Sequence, residues 1–182
     1  MLYFRKVYSL KNDHIIVLND MFRRKLFTTS ILRETPITKI YVDGSCIQHS
    51  NGNRNSGIGV YWGDNDSRNI SLKLSGNHTN STTEINAALY ALRQIKKLGI
   101  KNAHIYSDSD YVVKSVNEWI HKWKENGWKK ANGKKVMHKE LIIELDSLIN
   151  STGTKFHHVR GHSKIDGNEK AHILAFNATK SC

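Results

Sequence analysis

The sequence predicts an α/β domain, and three observations predict it. Strand-like segments come first, three in a row between residues 37 and 74 with only loops between them. Helical periodicity then takes over and alternates with further strands to the end of the chain. The composition, 38% hydrophobic and 24% charged over 182 residues, is that of a globular chain long enough to bury a core. Consecutive strands joined by loops suggest an antiparallel meander.

In chain order, residues 1–36 read as an N-terminal extension with seven basic residues against three acidic ones. Residues 21–30 fit a basic amphipathic helix, and residues 15–18 fit either a strand or a helix. Arg and Ser suit a transit peptide, whereas Asp13, Asp20 and Glu34 count against one. Pro36, the chain's one proline, marks the boundary, since it cannot continue a helix and it restricts Thr35. From Ile37 the apolar, β-branched residues alternate as in a buried strand. Asp43 stands at its tip, and Gly44 offers a sharp turn. Alone, an Asp-Gly pair is an ordinary turn signal. A polar loop over residues 48–56 leads to a second strand at residues 57–62. The alternation of Ile70-Ser71-Leu72-Lys73-Leu74 makes a third, with one face wet.

The period then changes. Ile85, Ala88, Leu89, Leu92 and Ile95 recur at helical spacing, and Leu98-Gly99 closes the helix. Its start, Ser81-Thr82-Thr83-Glu84, fits a capping box, so Glu84 either satisfies backbone donors or is a functional carboxylate. Residues 103–108 form a fourth strand ending in Asp108. A helix follows from about Ser109 to Trp119 with Ser109 or Asp108 as its cap, so Asp108 is likewise either a cap or a functional group. Residues 141–149 are helical and residues 154–160 are a fifth strand. The loop around Gly161-His162 leads into a last helix over residues 168–179. His157 and His158 are adjacent on a strand and point to opposite faces, which excludes a zinc site shared with His162.

Lys and Arg total 28 against 16 acids, a net charge of +12, which calls for a polyanionic partner, nucleic acid first. Residues 119–140 concentrate that charge: seven lysines stand among Trp119, Trp123 and Trp128, opposed by Glu125 and Glu140. Lysines contact phosphates, and tryptophans stack on bases or pack against sugars. Trp119 and Trp123 are four apart and share a helix face, where they either bind a ligand or pack on the core. Cys46 and Cys182 form neither a disulfide framework nor a metal spacing. They read as free thiols of an intracellular protein, whether nuclear, cytoplasmic or mitochondrial. No apolar run reaches the length of a membrane span, so no membrane partner is expected, and a monomer is.

Several separate motifs now stand in order. They are Tyr41-Val42-Asp43-Gly44-Ser45-Cys46, Gly57-Ile58-Gly59-Val60-Tyr61-Trp62-Gly63, Thr79-Asn80 followed by Glu84, and Tyr106-Ser107-Asp108-Ser109. Trp119, Trp123, Asn126-Gly127-Trp128-Lys129, Gly133-Lys134, Gly161-His162-Ser163 and Gly167-Asn168-Glu169 continue the series. Through them the stretch from about 37 to 180 resembles the catalytic domain of type 1 ribonuclease H. The resemblance implies a ribonuclease H-like α/β fold over residues 37–182. Its five-stranded mixed sheet has three antiparallel then two parallel strands flanked by helices, with a basic protrusion at residues 119–140. It implies hydrolysis of the RNA strand of an RNA–DNA hybrid with two magnesium ions, manganese being the alternative. Asp43 would bridge both ions, and Glu84 and Asp108 would hold the one on the leaving-group side. His162 would assist proton movement or product release, and Glu84 would lie near the RNA 2′-hydroxyl.

The sequence departs from the family where the fourth carboxylate is expected, since His172 stands there. Imidazole lowers the negative charge of the site and suits transition ions better than magnesium. The expectation is a retained but weakened activity with a shifted metal preference. A non-catalytic hybrid-binding protein is the alternative, and an integrase-type nuclease of the same fold is the third reading. Of the nucleic-acid contacts implied, Thr79, Asn80 and Ser81 would grip backbone and minor groove. Trp119 and Trp123 would line the DNA-strand channel, and Lys129, Lys130, Lys134 and Lys135 would form the protrusion. The phosphate pocket keeps Thr79 but has Asn77 and His138 where the family has Arg and Asn, which implies a weaker hold on the DNA strand. The hybrid-binding module common in eukaryotic members is not recognisable in residues 1–36.

Overall fold

The computed structural model describes residues 35–50 and 52–181, so the readings at residues 15–18 and 21–30 lie outside it. Of the two compact units into which the chain divides, the larger opens at Pro36. Within the larger unit, β1 (Thr38–Gln48) pairs antiparallel with β2 (Arg54–Tyr61), and β2 with β3 (Ile70–Leu74). β4 (Ala103–Ser107) lies parallel to β1, and β5 (Lys155–His158) parallel to β4, giving the order β3-β2-β1-β4-β5. This is the expected mixed sheet. The flanking helices are α1 (Asn80–Leu98), α2 (Asp110–Lys114), α3 (Ile120–Glu125), α4 (Lys139–Thr152) and α5 (Asp166–Lys180). A π-helical turn, Ser115–Trp119, joins α2 to α3.

Strand alternation decides which side chains meet which helices. Ile40 and Val42 of β1, Ile58 and Val60 of β2, Ile105 of β4 and Phe156 of β5 face Ile85, Leu89 and Leu92 of α1 and Leu145 of α4. All are buried, and each such side chain contributes about 1.5–3 kcal/mol relative to exposure. Gly57 and Gly59 point to the other face, against α5. A methyl at Gly57 would stand 2.5 Å from the Ala175 carbonyl oxygen, and one at Gly59 would stand 2.0 Å from that of Ala171. Ala171, Ala175 and Ala178 are buried on the facing stripe. Small residues on both sides bring helix and strand backbones together, and that contact sets where α5 presents His172. Gly59→Ala is therefore expected to cost at least about 3 kcal/mol, since a backbone must move. In a thermal melt that is a fall of about 6–12 °C for a chain of this size.

Five local readings are corrected. β1 does not end at Asp43 but runs through it to Gln48, so the loop shortens to residues 49–53, closed by His49 N–H on the Asn53 carbonyl at 2.8 Å. Gly44 makes no turn; it sits mid-strand, where a methyl would meet the Glu84 backbone nitrogen at 2.6 Å. Its value is the close approach of α1. The capping box of α1 is Thr79 with Thr82, not Ser81 with Glu84. β5 spans four residues rather than seven, and α5 begins at Asp166.

Candidate active site

Those corrections release two carboxylates. Thr79 caps α1 by accepting from Thr82 N–H, so Glu84 is not needed there. Ser109 caps α2 by accepting from Val112 N–H, so Asp108 is not needed either. β1 brings Asp43, the first turn of α1 brings Glu84, and the end of β4 brings Asp108. Their nearest oxygens lie within 4.8 Å of one another. Asp43 is buried; the other two are half-buried.

Such packing is electrostatically costly without a cation. Burial, then the charges of Asp43 and Asp108, raise the Glu84 carboxyl well above its ordinary range. Burial, then Asp108, raises Asp43, and its hydrogen bond with His172 partly offsets this. Glu84 Oε2 is buried without a hydrogen-bond partner. An orphaned acceptor among three carboxylates is the environment that a hard, oxygen-seeking divalent cation satisfies. The residues present fit such an ion.

α5 supplies the rest of the surroundings. Asn168 Nδ2 donates to Asp108 Oδ2 at 3.0 Å, and one turn later His172 Nδ1 lies 2.8 Å from Asp43 Oδ2. Facing an ionised carboxylate, that nitrogen is the donor. His172 thus stands beside the carboxylate group and holds Asp43. Its ring packs against Phe176, and His162 approaches it edge-on at 5.8 Å between centroids. The His162 loop is tied to the site at Gly161, where a methyl would meet Asp108 Oδ2 at 3.0 Å. The reading of the sequence gave Asn168 no role; the signal was its position four residues before His172 on a helix.

The basic stretch divides. Trp123 is buried in a satellite core with Ile120, Val136 and Ile142, while Trp119 is half-buried and packs on Trp123 and Tyr111. Both border a groove of about 590 Å³ with Lys122, Asn126, Lys129 and Lys130. Lys129 pairs with Lys135 across a short antiparallel bridge, and Lys129, Lys134 and Lys135 are exposed. Thr79, Asn80 and Ser81 line a separate polar cleft. Neither Asn77, which is exposed, nor His138 lines that cleft. His138 starts α4 with a left-handed backbone (φ 57°).

A mixed five-stranded sheet flanked by helices, with three carboxylates converging beside it, defines an α/β domain of the ribonuclease H-like fold. The sequence matches the RNase H family over residues 35–180, and the chain belongs to that family. It is 37% identical over 153 residues to mouse ribonuclease H1, covering 84% of this chain and 53% of the mouse protein. Over 145 residues it is 39% identical to the ribonuclease H of Thermosynechococcus vestitus, covering 78% of this chain and 87% of that one. Among solved structures, the foamy viral protease–reverse transcriptase in complex with an RNA/DNA hybrid superposes with a TM-score of 0.68 at 25% identity. That match covers 81% of this chain and 21% of the viral one. The chain spans about half the length of the mammalian relatives it matches.

Proposed function

We propose that the domain is an endoribonuclease hydrolysing the RNA strand of RNA–DNA hybrids. The observation that carries this reading is the convergence of Asp43, Glu84 and Asp108 around an unpartnered Glu84 oxygen. These three would hold the divalent ions, two magnesium ions in the reading favoured here, with manganese as the alternative. Bound there, such ions lower the pKa of water and offset the charge on the phosphate that is cut. Asp43 is held toward the centre by His172, and Asp108 by Asn168. His162 is exposed on its loop, where it would assist proton movement or product release. Burial and the neighbouring carboxylates favour the protonated form of Glu84, and a cation held there would favour its anion. Trp119 and the lysines of the protrusion would carry the DNA strand.

The test is cleavage of a labelled RNA–DNA hybrid in magnesium and, separately, in manganese. Cleavage of the RNA strand alone supports the reading. Hybrid binding without cleavage in either metal favours the non-catalytic alternative. The protrusion has its own test. Replacing Lys129, Lys130, Lys134 and Lys135 together with Ala is expected to weaken hybrid binding and flatten the salt dependence. Each lost phosphate contact removes about 0.7–0.9 from the slope of log K against log salt. An unchanged slope would exclude the protrusion from the interface.

A further inference from the structure

We infer that Arg54 is a phosphate-binding residue, gripping the sugar–phosphate backbone of the hybrid several nucleotides from the bond that is cut. This rests on the hybrid-binding reading above. Arg54 opens β2, and the register pairs it with Gln48, as Ser56 pairs with Cys46. Alternation puts these four on the side of the sheet that Gly44 presents to the start of α1. There Arg54 Nη1 donates to the His78 carbonyl at 3.3 Å, and Cys46 Sγ approaches the same oxygen at 3.3 Å. Together with Gln48, Thr79, Asn80 and Ser81 they line a cleft of about 470 Å³.

Arg54 lines this cleft with no carboxylate counter-ion among the described residues. Arg68 is paired with Asp66, and Arg93 with Glu144. Among the described residues no acidic side chain lines the cleft. A guanidinium carries five donors in a rigid fork, and one carbonyl engages few of them. Gln48, Asn80 and Ser81 add neutral donors and acceptors suited to sugar hydroxyls. The complement of such a cleft is an anion with neighbouring hydroxyls, and a phosphodiester backbone has both. The end of α1 does not itself account for the site, since Thr79 already caps it. Position points the same way. Along β1, Gln48 lies four residue steps beyond Gly44, which stands against Glu84, or about 14 Å at roughly 3.4 Å per residue. A strand whose phosphate lies at the carboxylates therefore passes Arg54 further along. The arginine stands one residue from Asn77 through its bond to His78, so it restores a guanidinium to a segment that has none.

The experiment uses the full chain carrying Asp43→Asn, so that hybrid is bound and not cut. Affinity is read from about 50 to about 200 mM salt. Adding Arg54→Ala is expected to lower affinity about tenfold, the loss of one charge-assisted contact. The salt slope should fall by about one. Arg54→Lys should keep the slope and lose part of the affinity, because it keeps the charge without the fork. A set of hybrids, each with one uncharged methylphosphonate linkage, should reveal a position that matters when Arg54 is present and no longer matters in Arg54→Ala. Thermal melts separate a lost contact from a loosened fold. If Arg54→Ala melts normally and leaves affinity, slope and the methylphosphonate pattern unchanged, the inference is overturned while hybrid binding stands. If the parent binds no hybrid at all, both readings fall.

Discussion

Replacing Asp43 with Asn is expected to cut hybrid cleavage at least about 10³-fold while raising the melting temperature of the metal-free protein. The first effect follows from losing an anionic oxygen at the centre of the cluster, since several kcal/mol of charge stabilisation is then missing. The second follows from the cost of the cluster. Asp43 and Glu84 ordinarily titrate at 3.8 and 4.5, and both are raised in the fold. Above those ordinary values the folded protein therefore holds more protons than the unfolded chain. Stability of the metal-free protein falls as pH climbs from that range through the raised values. The Asp43→Asn change removes one ionisation and relieves Glu84 of the neighbouring charge that raises it most, so the decline flattens. A gain of about 1–2 kcal/mol at neutral pH corresponds to a few degrees of melting temperature. Divalent cation should stabilise the parent by mass action and the variant little. Calorimetry across pH, with and without magnesium, measures all of this. A variant that melts lower than the parent at neutral pH without metal would refute the account of the cluster as strained.

Much of this arrangement was legible in the sequence, for physical reasons that also explain what was not. Alternation of Ile and Val and the helical spacing from Ile85 to Ile95 report burial directly, so the elements and their order could be read. Ends of elements depend on competition among several donors and acceptors. Thr79, Ser81 and Asp108 all had cap chemistry, and only the backbone shows that Thr79 and Ser109 took those roles. Gly44 illustrates the same limit. A glycine that opens a turn and one that admits a neighbouring helix look identical until α1 is placed against it. Asn168 and Arg54 depend on contacts between residues far apart in sequence, 60 positions in the first case and 24 in the second. No local pattern encodes those.

His172→Asp is expected to raise magnesium-supported cleavage about 10–100-fold and to lower the advantage of manganese over magnesium. That range is typical for changes to the groups that surround metal ligands. The side chain of His172 is 46% exposed, and its ring is braced by Phe176. It is held to Asp43 by one hydrogen bond at 2.8 Å. That bond favours the anionic form of Asp43, which helps a cation bind, but it also occupies one of the carboxylate's oxygens with a proton. An Asp at position 172 reverses both effects. It frees Asp43 Oδ2 and adds a hard anionic oxygen of the kind magnesium prefers. It also adds like charge to a cluster that already repels itself. The metal-free variant should therefore melt below the parent, and magnesium should raise its melting temperature by more than it raises the parent's. His172→Ala separates the terms, since it frees the oxygen without adding charge, and its rate should fall between those of the other two. Should the parent cut in neither metal, recovery of cleavage in His172→Asp would mark this one position as what silenced the site. Unchanged rate and unchanged metal preference in His172→Asp would show that the imidazole has no bearing on how the carboxylates hold their ions.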